Sequence, residues 1–140
     1  MTYSIDLAGS AHRHWGAAIS LLAGEKPGTS LGNMAVAGYL FGLAGELALK
    51  KMMSDSGMRP LKTKQKQDDP FYAHFPHLKT LLRNGAKGRL QGTLVRHAID
   101  ARLFNNWNVE MRYAPTKEIQ EKWTHEWRDQ ADKLVQAMNL

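Results

Sequence analysis

The chain reads as an all-α domain, an up-and-down bundle of about five helices, and three features of the sequence predict it. Apolar residues recur at three- and four-residue spacing through the long segments, the period of a helix with one buried face. All five prolines, Pro27, Pro60, Pro70, Pro76 and Pro115, fall between those segments rather than inside them. With 43% hydrophobic residues and five prolines in 140, the chain can build a sizeable core without disulfide or metal staples.

The first helix starts at Ser4 or Asp6, either of which can cap it, and runs to about Ala23. Ala8, Ala11, Trp15, Ala18, Ile19 and Leu22 form its buried stripe, and His12 lies on that stripe as a hydrogen-bonded core residue. Gly24 to Gly32, with Pro27, makes a turn. Asn33 caps the second helix, which runs to about Ser54. It is apolar nearly all round and belongs in the middle of the bundle, where Gly38, Gly42 and Gly45 let neighbours approach closely. A polar connection from Asp55 to Pro70 carries Gly57, Pro60, Lys62, Lys64 and Lys66. A short third helix follows Pro76, with Leu78, Leu81 and Leu82 on one face, and breaks at Asn84 and Gly85.

The fourth helix runs from about Leu90 to Asn105, with Leu94, Ala98, Ala101 and Phe104 or Asn105 on successive turns. Trp107, Val109, Met111 and Tyr113 then alternate with Asn108, Glu110 and Arg112, a period of two that predicts an extended connector. Thr116 caps the fifth helix, whose inner stripe is Ile119, Trp123, Trp127 or Glu126, Ala131, Leu134 and Met138. No internal repeat or composition shift divides the chain, so residues 1–140 read as one domain.

The absence of cysteine excludes disulfides and thiolate metal sites and points to a cytoplasmic location. Met1 to Gly9 shows no basic region followed by an apolar run, so no secretory signal is expected. The longest apolar run, Met34 to Leu49, has sixteen residues with Glu46 among them. A membrane span needs about 20, so the run is a core helix and no membrane partner is expected.

The net charge of +6 falls unevenly. Residues 50–102 hold twelve basic residues against four acidic, whereas 1–49 hold two against three and 103–140 five against six. Such a concentration suits an anionic partner, nucleic acid or a nucleotide phosphate, with a solvated basic surface as the alternative.

Glu46 is the most informative single residue. A lone carboxylate among Leu43, Ala44, Leu47 and Leu49 needs Arg, Lys, His or Tyr from another helix, or water. It is either a buried clamp that fixes helix register or a catalytic acid with a raised pKa. His12 and His14 fall on different sides of a helix, and His74 and His77 near Asp68 and Asp69 lack the spacing of a metal motif, so no metal is expected. Trp15, Trp107, Trp123 and Trp127 suit core packing or a base-stacking platform. Phosphate-binding loops, nucleophile elbows and dinucleotide fingerprints are absent.

The run Tyr39-Leu40-x-Gly42-x-Ala44-x-Glu46-x-Ala48-Leu49-Lys50 resembles the second-helix signature of HEPN-like domains (higher eukaryote and prokaryote nucleotide-binding). Ser10-Ala11-x-x-x-Trp15-x-x-Ala18 is similar to the family's first helix. Pro76-His77-Leu78-Lys79-Thr80-Leu81-Leu82 and Trp107-x-x-x-x-Arg112-Tyr113 are similar to two later segments, in the same order. Leu43, Gly45 and Pro76-His77 depart from the family pattern. The resemblance implies a helical bundle, often a homodimer, set among nucleotidyltransferase partners, toxin–antitoxin pairs or defence systems. Members that cut RNA carry Arg followed after four to six residues by His. None of the eight arginines here has that spacing; Arg89 and His97 come nearest.

These readings combine into a non-catalytic, homodimeric HEPN-like binding module without cofactor, engaging a nucleotide, a nucleic acid such as RNA, or an anionic protein partner, with a nucleotidyltransferase or antitoxin as the partner the resemblance implies. Its expected binding residues are Glu46, Lys50, His77, Arg89, Arg96, His97, Arg112 and Tyr113. One alternative is an atypical ribonuclease built from Arg89, Arg96, His97 and Glu46; another is a purely structural partner of an acidic protein.

Overall fold

The computed structural model describes residues 3–23, 31–61, 66–85 and 92–138. Five α-helices lie in these segments: α1 (Leu7–Ala23), α2 (Leu31–Asp55), α3 (His77–Gly85), α4 (Gly92–Ile99) and α5 (Glu121–Ala137). Short 3-10 turns at Lys66–Asp68, Pro70–Tyr72, Val109–Tyr113 and Thr116–Glu118 join them, and no strand occurs among the described residues. The fold is an all-α helical bundle. No helix among these residues is long and apolar enough to cross a membrane.

α2 is the central element, as its all-round apolar character predicts. It packs on α1 and α5 and touches α4 and both later 3-10 turns, while α3 and α4 pack on each other. One core cluster draws on all five helices, from Ala11 and Ala18 through Phe41 and Leu49 to Leu82, Leu94 and Trp127. The glycines of α2 are docking slots. A Cβ on Gly38 would lie 2.8 Å from Thr124 Oγ1, one on Gly42 1.9 Å from Trp107 Nε1, and one on Gly45 2.4 Å from the Phe104 ring. Each slot lets a large side chain reach the helix backbone and bury there, at roughly 1.5–3 kcal/mol for a large apolar side chain. Trp15 Nε1–H donates to Asp132 Oδ1, which ties α1 to α5.

The helix starts follow capping chemistry where the cap is local. Asp6 Oδ1 accepts the Gly9 N–H at 2.8 Å, so Asp6 rather than Ser4 opens α1. Asn33 is not the cap of α2, which already begins at Leu31. Glycine at position 32 is no obstacle there, because first-turn N–H groups have no intrahelical partner anyway. His12 is exposed, not a core residue. Trp15 marks the edge of the buried face and is itself only half-buried, so the residue one turn earlier looks outward.

Three later expectations need correction. The fourth helix ends at Ile99, not Asn105. Asp100 Oδ1 accepts the Arg102 N–H at 2.9 Å, and Lys79 Nζ donates to the Asp100 and Leu103 carbonyls, so the chain turns instead of continuing. Phe104 and Asn106 adopt left-handed backbone, with φ of 51° and 69°. An aromatic residue in that region stores on the order of 1–3 kcal/mol. Phe104 is held there by the Gly45 slot, a stacked Phe75 ring at 4.8 Å, and Gln130 Oε1 accepting its N–H at 2.7 Å.

The alternating stretch after Trp107 is a 3-10 turn, not an extended connector. Asn108 Oδ1 accepts the Glu110 N–H at 2.9 Å and caps it. Thr116 does not cap the last helix. Thr116–Glu118 forms its own turn, Ile119 and Gln120 are extended, and α5 begins at Glu121. Within α5, Trp127 faces in and Glu126 faces water.

Candidate functional site

Two polar clusters sit on one stripe of α2, formed by Tyr39, Gly42, Glu46 and Lys50 at three- and four-residue spacing. In the second half of the helix, Glu46 is 2% exposed and both its oxygens are engaged. Oε1 accepts the Phe75 N–H at 2.8 Å and Oε2 accepts from His74 Nδ1 at 2.8 Å. The His74 ring reaches the surface, so the cluster touches water at that side alone among these partners. Lys50, one turn further along, is buried as well. Burial lowers its pKa, and the Glu46 and Asp69 carboxylates oppose that shift.

Asp69 is also buried. It accepts the Phe71 N–H at 3.0 Å, capping the Pro70–Tyr72 turn, and the Leu61 N–H at 2.8 Å. Glu46 thus fastens the connection before α3 to the centre of α2, and Asp69 braces that connection from within. No buried side-chain polar atom among the described residues lacks a hydrogen-bond partner. Glu46 finds a histidine, one of the expected partner types, though from the connection rather than from another helix. His77 stands apart from Glu46: its Nε2–H donates to the Gln67 carbonyl at 2.9 Å and braces the same connection.

The first half of α2 carries the second cluster. Tyr39 stacks on Trp107 at 5.7 Å and 11° between planes. Trp107 Nε1–H donates to the Gly38 and Tyr39 carbonyls at 3.2 and 3.3 Å from its place in the Gly42 slot. The Tyr39 hydroxyl accepts from Arg112 Nη1 at 3.3 Å, and the guanidinium lies 4.8 Å from the centre of the Tyr113 ring. The hydrogen bond to Tyr39, followed by the adjoining Tyr113 side chain, raises the already high pKa of Arg112. Its side chain is exposed, bracketed by tyrosines and permanently charged.

A third feature is the α3–α4 pair. Between Pro70 and Val109 the sequence has six lysines and arginines against one acid, Asp100. Arg83 on α3, Arg96 on α4 and Arg102 in the following turn are exposed; Arg96 donates to Thr93 Oγ1 at 3.2 Å. His97 is half-buried, and burial lowers its pKa, with Asp100 opposing and Arg96 reinforcing the shift. The ring therefore carries less charge near neutral pH than a free imidazole would. Ion pairs among the described residues are Lys51–Asp55, His74–Glu46, His125–Glu121 and Arg128–Asp129. None of them engages Arg83, Arg96, Arg102 or Arg112.

Of the residues expected to bind, Glu46 and Lys50 meet in one cluster, Arg112 and Tyr113 in another, and Arg96 and His97 share α4. Arg89, Lys62 and Lys64 lie outside the described residues. No hydrogen bond or ion pair among the described residues joins Glu46 to Arg96 or His97. No three His, Asp or Glu side chains in these segments group closely enough to hold a metal ion. Tyr39, Trp107, His74 and Asp69 complete the clusters without having been expected as site residues. The signal for Tyr39 was its place two turns before Glu46 on the same helical stripe. No family model, curated protein or solved structure matches this chain.

Proposed function

We propose that the chain is a non-catalytic HEPN-like binding module that holds RNA by its phosphates, with the α3–α4 pair as the contact surface. The observation that carries this reading is the set of exposed arginines Arg83, Arg96 and Arg102 in a stretch with one acid and no ion pair on those three among the described residues. Unneutralised guanidinium groups on α3, α4 and the turn after α4 attract a polyanion and release its counterions on contact.

The HEPN-like part of the reading is supported by which segments meet. The helix-two residues Tyr39 and Glu46 bond, respectively, with Arg112 of the Trp107–Tyr113 segment and with His74 and Phe75, just before the Pro76–Leu82 segment. Tyr39, Glu46 and Arg112 belong to segments that carry the resemblance, whereas His74 and Phe75 lie just outside them. The same resemblance implies a homodimer and a nucleotidyltransferase or antitoxin partner, in a cytoplasmic setting consistent with the absence of cysteine. The non-catalytic part rests on the arginine–histidine spacing and on Glu46, whose carboxylate oxygens serve the fold.

The test is titration of a fluorescently labelled single-stranded oligouridine RNA at several salt concentrations. Affinity is expected to fall with salt. The combined Arg83→Ala, Arg96→Ala and Arg102→Ala substitutions should flatten the log–log slope by about 0.7 for each phosphate that is no longer neutralised. Binding undetectable at low salt would end the RNA reading, and cleavage of the RNA that His97→Ala abolishes would end the non-catalytic one.

A further inference from the structure

The face around Arg112 differs from the basic pair. Residues 109–121 hold two basic side chains against three acidic, so this region has no field for a polyanion. It has an apolar hollow instead. Between the first turns of α2 and the two later 3-10 turns lies a depression of about 160 Å³, lined by Ala35, Val36, Tyr39, Met111 and Ile119, with Arg112 at its rim. A second hollow of about 150 Å³ shares Ala35, Thr116 and Ile119 with it and extends the depression into a groove past Met34 and Leu31. Large apolar side chains stand in water along it: Leu31 is 62% exposed, Val36 51%, and Tyr113 beside Arg112 76%.

We propose that this groove docks a segment of a partner protein that presents an aliphatic side chain next to a carboxylate. Shape decides against a small molecule: pockets that enclose such ligands offer roughly 300 Å³ or more in one cavity, whereas the space here is split between two open hollows of about 160 and 150 Å³. A single aliphatic side chain fits the hollow at Arg112, and the groove continues as a chain segment would. Charge complementarity decides the neighbour. Arg112 is held in place by the Tyr39 hydroxyl and the Tyr113 ring, and neither neutralises it. Glu110, two residues back, forms no ion pair with it among the described residues. The guanidinium fork therefore offers paired donors to a carboxylate. A bracketed arginine and an exposed tyrosine beside an apolar pocket are the composition of an interface hot spot.

The experiment is selection from a random peptide library displayed on phage, with the whole chain as bait and a Val36→Glu/Arg112→Ala double variant as the control bait. Both positions are exposed, and far-UV circular dichroism checks that the variants fold. Selected peptides are expected to combine an aliphatic residue with Asp or Glu. Synthesised and titrated by fluorescence anisotropy, they should lose at least about tenfold in affinity with Arg112→Ala and with Val36→Glu. Arg112→Lys should restore part of the loss, since it returns the charge without the fork.

No enrichment over the control bait would overturn the proposal, as would peptides that bind the variants equally well. Displacement of the peptide by oligouridine RNA would give the face to nucleic acid. A dimer that Val36→Glu dissociates, with no peptide selected, would give it to a second copy of the chain. The RNA reading rests on the α3–α4 pair, so either can fail while the other stands.

Discussion

Around Glu46 charge is buried and used, whereas two turns earlier on the same stripe, around Arg112, charge stands in water and is only steadied. Glu46, Lys50 and Asp69 lie in the interior, and the two carboxylates accept three backbone N–H groups from the connection before α3. Arg112 has one long hydrogen bond and one ring. The contrast separates two uses of polar side chains. A charge removed from water must be matched by its own chain, so its partners fix the backbone. A charge left in water needs no internal match and remains available to another molecule.

The largest expected effect is on the buried side. Glu46→Ala strands the Phe75 N–H and removes a counter-charge of Lys50, so urea unfolding should show a loss of about 3–5 kcal/mol. Next comes Gly42→Ala. Its methyl would fall 1.9 Å from Trp107 Nε1, and expelling the indole should cost about 1–3 kcal/mol. This variant sharpens the comparison because Tyr39 stacks on that indole and holds Arg112. It should therefore weaken peptide capture together with stability, read by tryptophan fluorescence and anisotropy on the same sample.

How much of this was legible depends on whether the information was local. The helix periods, the Asp6 cap, the α2 glycine slots and the need of Glu46 for a partner all follow from neighbours within a turn or two. The end of α4 was hidden because Lys79, some twenty residues away, takes the carbonyls that stop it. The period of two after Trp107 misled for a different reason. Trp107 is buried in the Gly42 slot while Tyr113 is out in water, so the alternation does not record one buried face. At the site, Arg112 and Tyr113 could be named from sequence, Tyr39 had a signal in its place on the Glu46 stripe that packing on Trp107 makes plain, and His74 was weighed only as a metal ligand.

His97 lies between the two extremes, half-buried with a pKa below its usual 6.5. The unfolded ring takes a proton near 6.5, and the folded ring takes one only at lower pH. Acid between those values therefore favours unfolding, and above 6.5 this contribution is flat. Melting temperature should fall on acidification through that window, and His97→Gln should make the fall shallower. A variant with an unchanged pH profile would show that other groups set the acid response.

The smallest effect is the most telling. Arg112→Ala, compared with Glu46→Ala in parallel urea unfolding, measures directly whether the exposed cluster serves the fold or a partner. If it serves a partner, Arg112→Ala shifts stability by no more than about 0.5 kcal/mol, the range of an exposed site. A loss approaching that of Glu46→Ala would contradict this and make Arg112 a second clamp.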